Sequence, residues 1–279
     1  MDPIVEVIKS RKSVRTFDRS PLSEKEKSTI KSLLNDKAGP FGGLVRIACF
    51  DLDEKDTSTL KSLGTYGIIK NAPMFMGAIV KPGPHIFEDL GYVFEEAIIK
   101  LTEEHFGTCW IGGTFTRASF SSQAGMQDDE ILGAISPVGR AHKNRSFIET
   151  ALRTVAGSRN RKEWGELFFN NNSSTPLTEK DAGSFFVPFE CVRLAPSASN
   201  KQPWRLIQNN SGIHFFLNRT KGYSKLFKQI DLQAMDIGIA MYHFEAAAIA
   251  SGLSGELRPL EHGCNEPQWV YITSFVQGA

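Results

Sequence analysis

This 279-residue chain repeats itself, and the repeat limits its architecture more than any other property. Pro21-Leu22-Ser23-Glu24-Lys25-Glu26 returns as Pro176-Leu177-Thr178-Glu179-Lys180-Asp181. Ala38–Ile47 (AGPFGGLVRI) stands opposite Ala195–Leu206 (APSASNKQPWRL), and Asp89-Leu90-Gly91 stands opposite Asp236-Ile237-Gly238. The offsets are 155, 157 and 147 residues, in the same order along the chain. Capping motifs and amphipathic helices recur by chance one at a time, whereas ordered recurrence points to duplication. Two related halves are expected, 1–169 and 170–279, joined at the polar stretch Asn170–Thr175. Two half-size copies in one chain can imitate a homodimer.

Each half reads as mixed helix and strand. Asp2-Pro3 is an N-cap with proline at the first helical position, and Ile4, Val7 and Ile8 then share a face. Pro21–Lys37 sets Leu22, Ile30, Leu33 and Leu34 among charges, with Ser23 and Glu26 at capping-box spacing. Strand-like runs follow at Leu44–Phe50 and Met74–Val80. A long helix is expected from Ile86, with Phe87, Leu90, Phe94, Ala97, Ile98 and Leu101 on one stripe and Gly107 as its stop. Its counterpart runs to Gly252.

Several function classes lose their signal. A net charge of +1 argues against a chain built chiefly for nucleic acid or an anionic membrane. Apolar runs such as Ala72–Val80 fall short of the ~20 residues that span a bilayer. The stretch after Met1 becomes charged before an apolar region is established, so no secretory leader and a cytoplasmic location are expected. Cys49, Cys109, Cys191 and Cys264 are scattered, as are the six histidines, so free thiols and no bound metal are expected. Neither a G-x-G-x-x-G nor a P-loop pattern occurs.

Three stretches could carry chemistry. Arg11–Phe17 (RKSVRTF) sets Arg11, Lys12, Ser13 and Arg15 together, which suits a phosphate, although such a run taken alone is more often a solvated basic patch. Arg140–Lys162 holds seven Lys or Arg against one acid, Glu149, and suits a bound anion, an RNA or a solvated face. In APSASNKQPW, Ala195–Trp204, Pro196 and Pro203 stiffen the backbone while Ser197, Ser199, Asn200 and Gln202 offer uncharged donors and acceptors, and Trp204 anchors the loop. A planar heterocycle with polar edges, or a polyol, fits such a loop.

These stretches resemble the FMN-dependent nitroreductase superfamily, whose members open with R-x-S-x-R-x-F and carry an A-P-S-x-x-N-x-Q-P-W loop. DLGYVF (Asp89–Phe94), GTCWIGG (Gly107–Gly113), AISPVGRA (Ala134–Ala141) and RNRKEWGELF (Arg159–Phe168) extend the similarity across most of the chain. In ordinary members both signature motifs occur in one half. Here the first half keeps RKSVRTF but has AGPFGGLVRI in place of the loop, and the second keeps APSASNKQPW but has lost the arginine motif. The chain therefore resembles the single-chain, pseudo-dimeric branch.

The resemblance implies an α+β, nitroreductase-like fold with two halves, each a mainly antiparallel sheet flanked by helices, mimicking the family homodimer. It implies one non-covalent FMN per chain, NAD(P)H as electron donor, and a small-molecule acceptor of nitroaromatic or quinone-like kind. A monomer acting as a pseudo-dimer, without nucleic-acid or membrane partners, goes with it. Carried over by position, Arg11, Lys12, Ser13, Arg159 and Arg161 take phosphate and ribityl oxygens, and Arg15 lies near the pyrimidine edge. Pro196, Ser197, Ala198, Asn200 and Gln202 contact the ring and ribityl chain, and Gly112 and Gly113 offer a backbone N–H toward N5. Tyr66 and Gly67 are further candidates beside the ring, and a lid is expected around Phe115–Asp129. No side-chain acid, base or nucleophile is required. Another flavin reaction on the same fold, or a non-catalytic FMN store, remain the alternatives.

Overall fold

A computed structural model of the chain describes residues 2–51, 69–113, 115–117, 120, 124–142, 160–223 and 229–278. The chain forms two compact units, Arg11–Ala156 and, joined with Met1–Ser10, Gly157–Ala279. This division differs from a cut at 169/170. The first helix, α1 (Pro3–Ser10), packs on helices of the C-terminal unit, because its buried face of Val5 and Ile8 is covered there.

The Arg11–Ala156 unit is built on a five-stranded sheet of order β1-β2-β3-β5-β4. Its strands are β1 (Lys37–Ala38), β2 (Leu44–Asp51), β3 (Met74–Val80), β4 (Gly107–Thr108) and β5 (Ile131–Gly139). All neighbours are antiparallel. Strand β3 is buried along its whole length, as a central strand covered on both faces must be. Phe75 and Ile79 join a cluster with Phe17, Phe50, Phe120 and Ile135. Side chains alternate along a strand, so Met76 and Ala78 face the other way.

Helix α2 (Glu24–Leu33) begins with the expected reciprocal capping box between Ser23 and Glu26. Helix α3 (Ile86–Glu103) packs on β2, β3 and β4. It ends earlier than expected: His105 takes a left-handed turn at φ 64°, and Gly107 belongs to β4.

The C-terminal unit repeats the plan. Its sheet has the order β6-β7-β8-β10-β9, built from β6 (Phe168–Asn170), β7 (Trp204–Asn209), β8 (Gly212–Asn218), β9 (Gly255–Arg258) and β10 (Trp269–Gln277). Helix α4 (Phe186–Leu194) packs against α5 (Leu232–Ala250). Helix α5 lies between β8 and β9 in the chain as α3 lies between β3 and β4. The copies part at one edge, where β6 runs parallel to β7 whereas β1 runs antiparallel to β2. Among the described residues, no helix is long and apolar enough to cross a membrane. The four cysteines are free thiols.

Candidate functional site

The central helices are buried, so each polar residue on them has a partner to find. On α3 these are Glu88, Asp89 and Glu95; on α5 they are Gln233, Asp236 and His243. Both aspartates hold a loop. The carboxylate of Asp89 accepts the backbone N–H of Phe41 at 2.8 Å and of Gly43 at 2.7 Å. A side chain on Gly43 would lie 2.6 Å from that carboxylate, so only glycine lets the loop come this close. Asp236 accepts the N–H of Ala198 at 2.8 Å, while its Oδ2 is buried without a hydrogen-bond partner. Burial raises the pKa of both, Asp236 well above the ordinary carboxylate range.

In the Arg11–Ala156 unit, RKSVRTF is stitched to its surroundings by backbone bonds. Val14 N–H donates to Thr108 at 2.8 Å, Lys70 N–H to Arg15 at 2.8 Å, and Phe17 N–H to Lys70 at 3.0 Å. The segment lies so close to β4 that a Cβ on Gly107 would sit 2.9 Å from Val14. Fixing the backbone leaves the side chains unevenly supplied. Arg11 Nε, Arg15 Nη1 and Thr16 Oγ1 are buried without hydrogen-bond partners, and Lys12 is exposed. Two orphaned arginine N–H groups within five residues are the chemistry of an anion site, since an unpaired buried donor is costly and a phosphate accepts from several at once.

The GTCWIGG stretch continues from β4 in the same unit. Ile111 and Ile135 exchange backbone hydrogen bonds at 2.9 Å, which anchors the chain just before Gly112 and Gly113. Arg117 Nη2 donates to the carbonyl of Gly112 at 2.6 Å and Nε to Leu132 at 3.2 Å, with its guanidinium 4.5 Å above the Phe115 ring. In a trans peptide the N–H points opposite to the C=O, so Arg117 sets the direction of the Gly113 N–H. Sequence reasoning missed Arg117, and nothing in its neighbourhood pattern would have shown it.

In the C-terminal unit, the loop from Pro196 to Gln202 is held in an unusual shape. Ser199, Asn200 and Gln202 all have positive φ, 50°, 53° and 47°, in the left-handed region that side chains rarely adopt. Such strain persists only where surrounding contacts over-determine it. Gln202 N–H donates to Ser197 Oγ at 2.9 Å. Gln202 Oε1 accepts the N–H of Lys162 at 2.9 Å, and its Nε2 donates to the carbonyl of Asn200 at 3.1 Å. Arg161 Nη1 donates to Asn200 Oδ1 at 2.9 Å and Nη2 to the carbonyl of Leu194 at 2.9 Å. Asn200 Nδ2 donates to the carbonyl of Asn160 at 2.7 Å.

The amides expected on a ligand are therefore engaged here in locking the basic segment 160–162 onto the loop, and Gln202 is 2% exposed. Rigidity comes from this network rather than from Pro196 and Pro203 alone. Trp204 is buried, as the sequence suggested. Burial, followed by the Arg205 charge, lowers the pKa of Lys162 against the opposing pull of Glu166.

The structure thus brings Arg11, Lys12, Ser13, Arg15, Gly112 and Gly113 into one unit, and Arg161, Pro196, Ser197, Ala198, Asn200 and Gln202 into the other. Tyr66, Gly67 and Arg159 lie outside the described residues, as does part of the expected lid. A cavity of about 490 Å³ lies elsewhere in the first unit, between the Phe41–Leu44 loop and Pro82–Ile86, and none of the expected site residues lines it. Among the described residues no cluster of side chains could hold a metal ion.

Two five-stranded sheets of like order, each with a buried central helix, define an α+β protein of duplicated design. Residues 3–248 match the family described as "Putative TM nitroreductase", and the chain belongs to that family, an oxidoreductase family by description. Among solved structures, a protein from Thermotoga maritima described as a putative nitroreductase aligns at a TM-score of 0.59 and 19% identity, covering 99% of this chain and 93% of that one. It shares the nitroreductase-like fold. A nitroreductase family protein from Clostridium novyi aligns at 0.40 and 21% identity over 50% of this chain and 86% of its own. A nitroreductase with bound FMN from Bacteroides fragilis aligns at 0.40 and 17% identity over 53% and 92%. No curated protein matches.

Proposed function

We propose that this chain is an FMN-dependent oxidoreductase that takes electrons from NAD(P)H and delivers them to a nitroaromatic or quinone-like acceptor. The observation that carries the reading is that buried N–H groups on Arg11 and Arg15 make no hydrogen bond, within a motif that resembles the family's phosphate-binding segment. They fit an anionic ligand, and membership of a nitroreductase family supports reading that ligand as a flavin nucleotide. When bound, FMN would supply the two-electron redox chemistry that joins donor to acceptor.

The chain's own residues supply orientation and electrostatics. Arg11, Lys12 and Ser13 hold the phosphate and ribityl oxygens. Arg15 would place positive charge near the pyrimidine edge. Arg117 fixes the Gly112–Gly113 peptide, whose N–H would be offered toward N5. Arg159, Arg161, Pro196, Ser197, Ala198, Asn200 and Gln202 are proposed as further flavin contacts, with Tyr66 and Gly67 beside the ring. In that role Asn200 and Gln202 act through the segment they lock as well as by direct contact. We also propose one FMN per chain and a monomer that works as a pseudo-dimer.

The test is direct. Purified protein should show flavin absorbance, with heat-released FMN near one per chain. Anaerobic NADPH or NADH should bleach it rapidly, and a nitroaromatic or quinone should restore the colour. A colourless protein that takes up no FMN would falsify the reading, and an oxidised spectrum that persists under both nucleotides would leave a flavin store in place of an enzyme.

A further inference from the structure

The orphaned N–H groups account for an anion beside Arg11 and Arg15 but not for what holds Arg11 in place. Glu95 lies in the middle of α3 with its side chain 0% exposed, a position where an acid is costly unless it is paired. Its Oε1 stands 3.8 Å from Arg11 Nε, whose side chain is 7% exposed. That is an ion pair, but too long for a hydrogen bond, which agrees with Nε being without one. Its Oε2 accepts the indole N–H of Trp110 at 2.5 Å. The Trp110 ring is set edge-on to Phe94 with centroids 4.8 Å apart, and Trp110 leads directly into Ile111, Gly112 and Gly113. One buried carboxylate thus touches both the cationic segment and the glycine segment.

The duplicated helix supplies a control. Glu95 stands six residues after Asp89, and the residue six after Asp236 is Tyr242. An acid occurs at this position in the copy that carries RKSVRTF and not in the copy that lacks it. Packing alone does not call for a charge in the α3 interior, because α5 fills the corresponding place without one.

We propose that Glu95 is a positioning residue that couples Arg11 to the Trp110–Gly113 segment and so sets the Arg11 guanidinium for the phosphate of FMN. The proposal rests on the flavin reading above. It has a sign that a simple counter-ion lacks. A negative charge near a phosphate opposes its binding, so removing a mere counter-ion tightens FMN, whereas removing a positioning contact loosens it.

The experiment titrates the full-length chain, freed of bound flavin, with FMN and with riboflavin, which lacks the phosphate. The wild type should prefer FMN. Glu95→Gln should weaken FMN by about tenfold or more, the range of one charge-assisted contact, while riboflavin stays within about threefold. Arg11→Met should show the same selective loss, and the double variant should be no worse than Arg11→Met, because Glu95 acts through Arg11. Retained riboflavin binding shows that the site is folded. If Glu95→Gln alone does not fold, the double variant removes both buried charges and keeps the comparison available; a clearly lower FMN preference than Arg11→Met would then overturn the proposal. An unchanged FMN-to-riboflavin ratio in Glu95→Gln, or tighter FMN, also overturns it and leaves the flavin reading intact. A wild type that binds both ligands equally overturns it as well, whereas one that binds neither brings down the flavin reading and this proposal together.

Discussion

The loops at Gly39–Gly43 and Pro196–Gln202 occupy like places in the two copies, and they are held in opposite ways. In the first, both oxygens of Asp89 take backbone N–H groups, and glycine lets the main chain close onto the carboxylate. In the second, Asp236 takes one N–H and leaves Oδ2 without a partner, and the loop is fixed by its own side chains. The two copies share one device, an aspartate near the start of a buried helix gripping a loop: a clamp on backbone in one copy and the foundation of a polar loop in the other. The first loop carries no amide side chains, whereas the second carries Asn200 and Gln202 and holds three residues at positive φ.

The largest difference should appear on exchanging the two aspartates for asparagine. Asp89→Asn puts an NH₂ against one of two backbone donors and should cost about 1–3 kcal/mol, the range for a buried donor left unsatisfied. Asp236→Asn can turn its NH₂ to the side of the unpartnered Oδ2, exchanging one unsatisfied buried group for another while removing an acid whose burial raises its pKa, so a change under about 1 kcal/mol is expected. Chemical denaturation of both variants checks this, and equal losses would break the contrast between the loops.

Next in size is the contact that presses RKSVRTF onto β4. Gly107→Ala should destabilise by about 1–3 kcal/mol through overpacking on Val14, and Val14→Ala should recover part of it. If Gly107→Ala is neutral, the segment is less tightly held than its backbone bonds indicate.

The second sheet should carry a pH dependence set by a buried histidine. His214 is buried between Ser274, at 2.7 Å from Nδ1, and Asn209, at 2.9 Å from Nε2. Burial pushes its pKa down from 6.5 to about 4. The unfolded chain therefore binds the extra proton first, and stability contributed by neutral His214 is present above pH 6.5 and lost as pH falls toward about 4. His214→Gln should flatten the stability curve in that window, to the extent of about 1–3 kcal/mol.

The smallest effect belongs to the first copy's surface. The Arg140 guanidinium, followed by Ser23, holds Glu26 down at about 2 from 4.5. Its contribution is present above pH 4.5 and fades as pH falls to about 2, so Glu26→Gln should lose only a shallow acid slope in thermal unfolding.

Local signals were legible in the sequence where the physics is local. The Ser23–Glu26 capping box, the proline start of α1, strand β3 and the paired Asp89 and Asp236 landmarks all depend on neighbours a few residues away, and all are found in the fold. The duplication was legible for the same reason, since each copy carries its own turn and helix signals. The helix α3 stop was misplaced because Gly107 serves a close approach to Val14, a contact between distant segments.

By itself, the order of residues determined two related α+β copies, their central helices, and the separation of an arginine motif from an amide-rich loop. Tertiary structure decided the rest: that α1 belongs with the C-terminal unit, that β6 pairs parallel, that Asn200 and Gln202 lock segment 160–162, and that Glu95 links Arg11 to Trp110. The reason is burial. A polar group removed from water must find whichever partner the packed chain brings within about 3 Å, and that partner is chosen by three-dimensional proximity rather than by spacing along the chain.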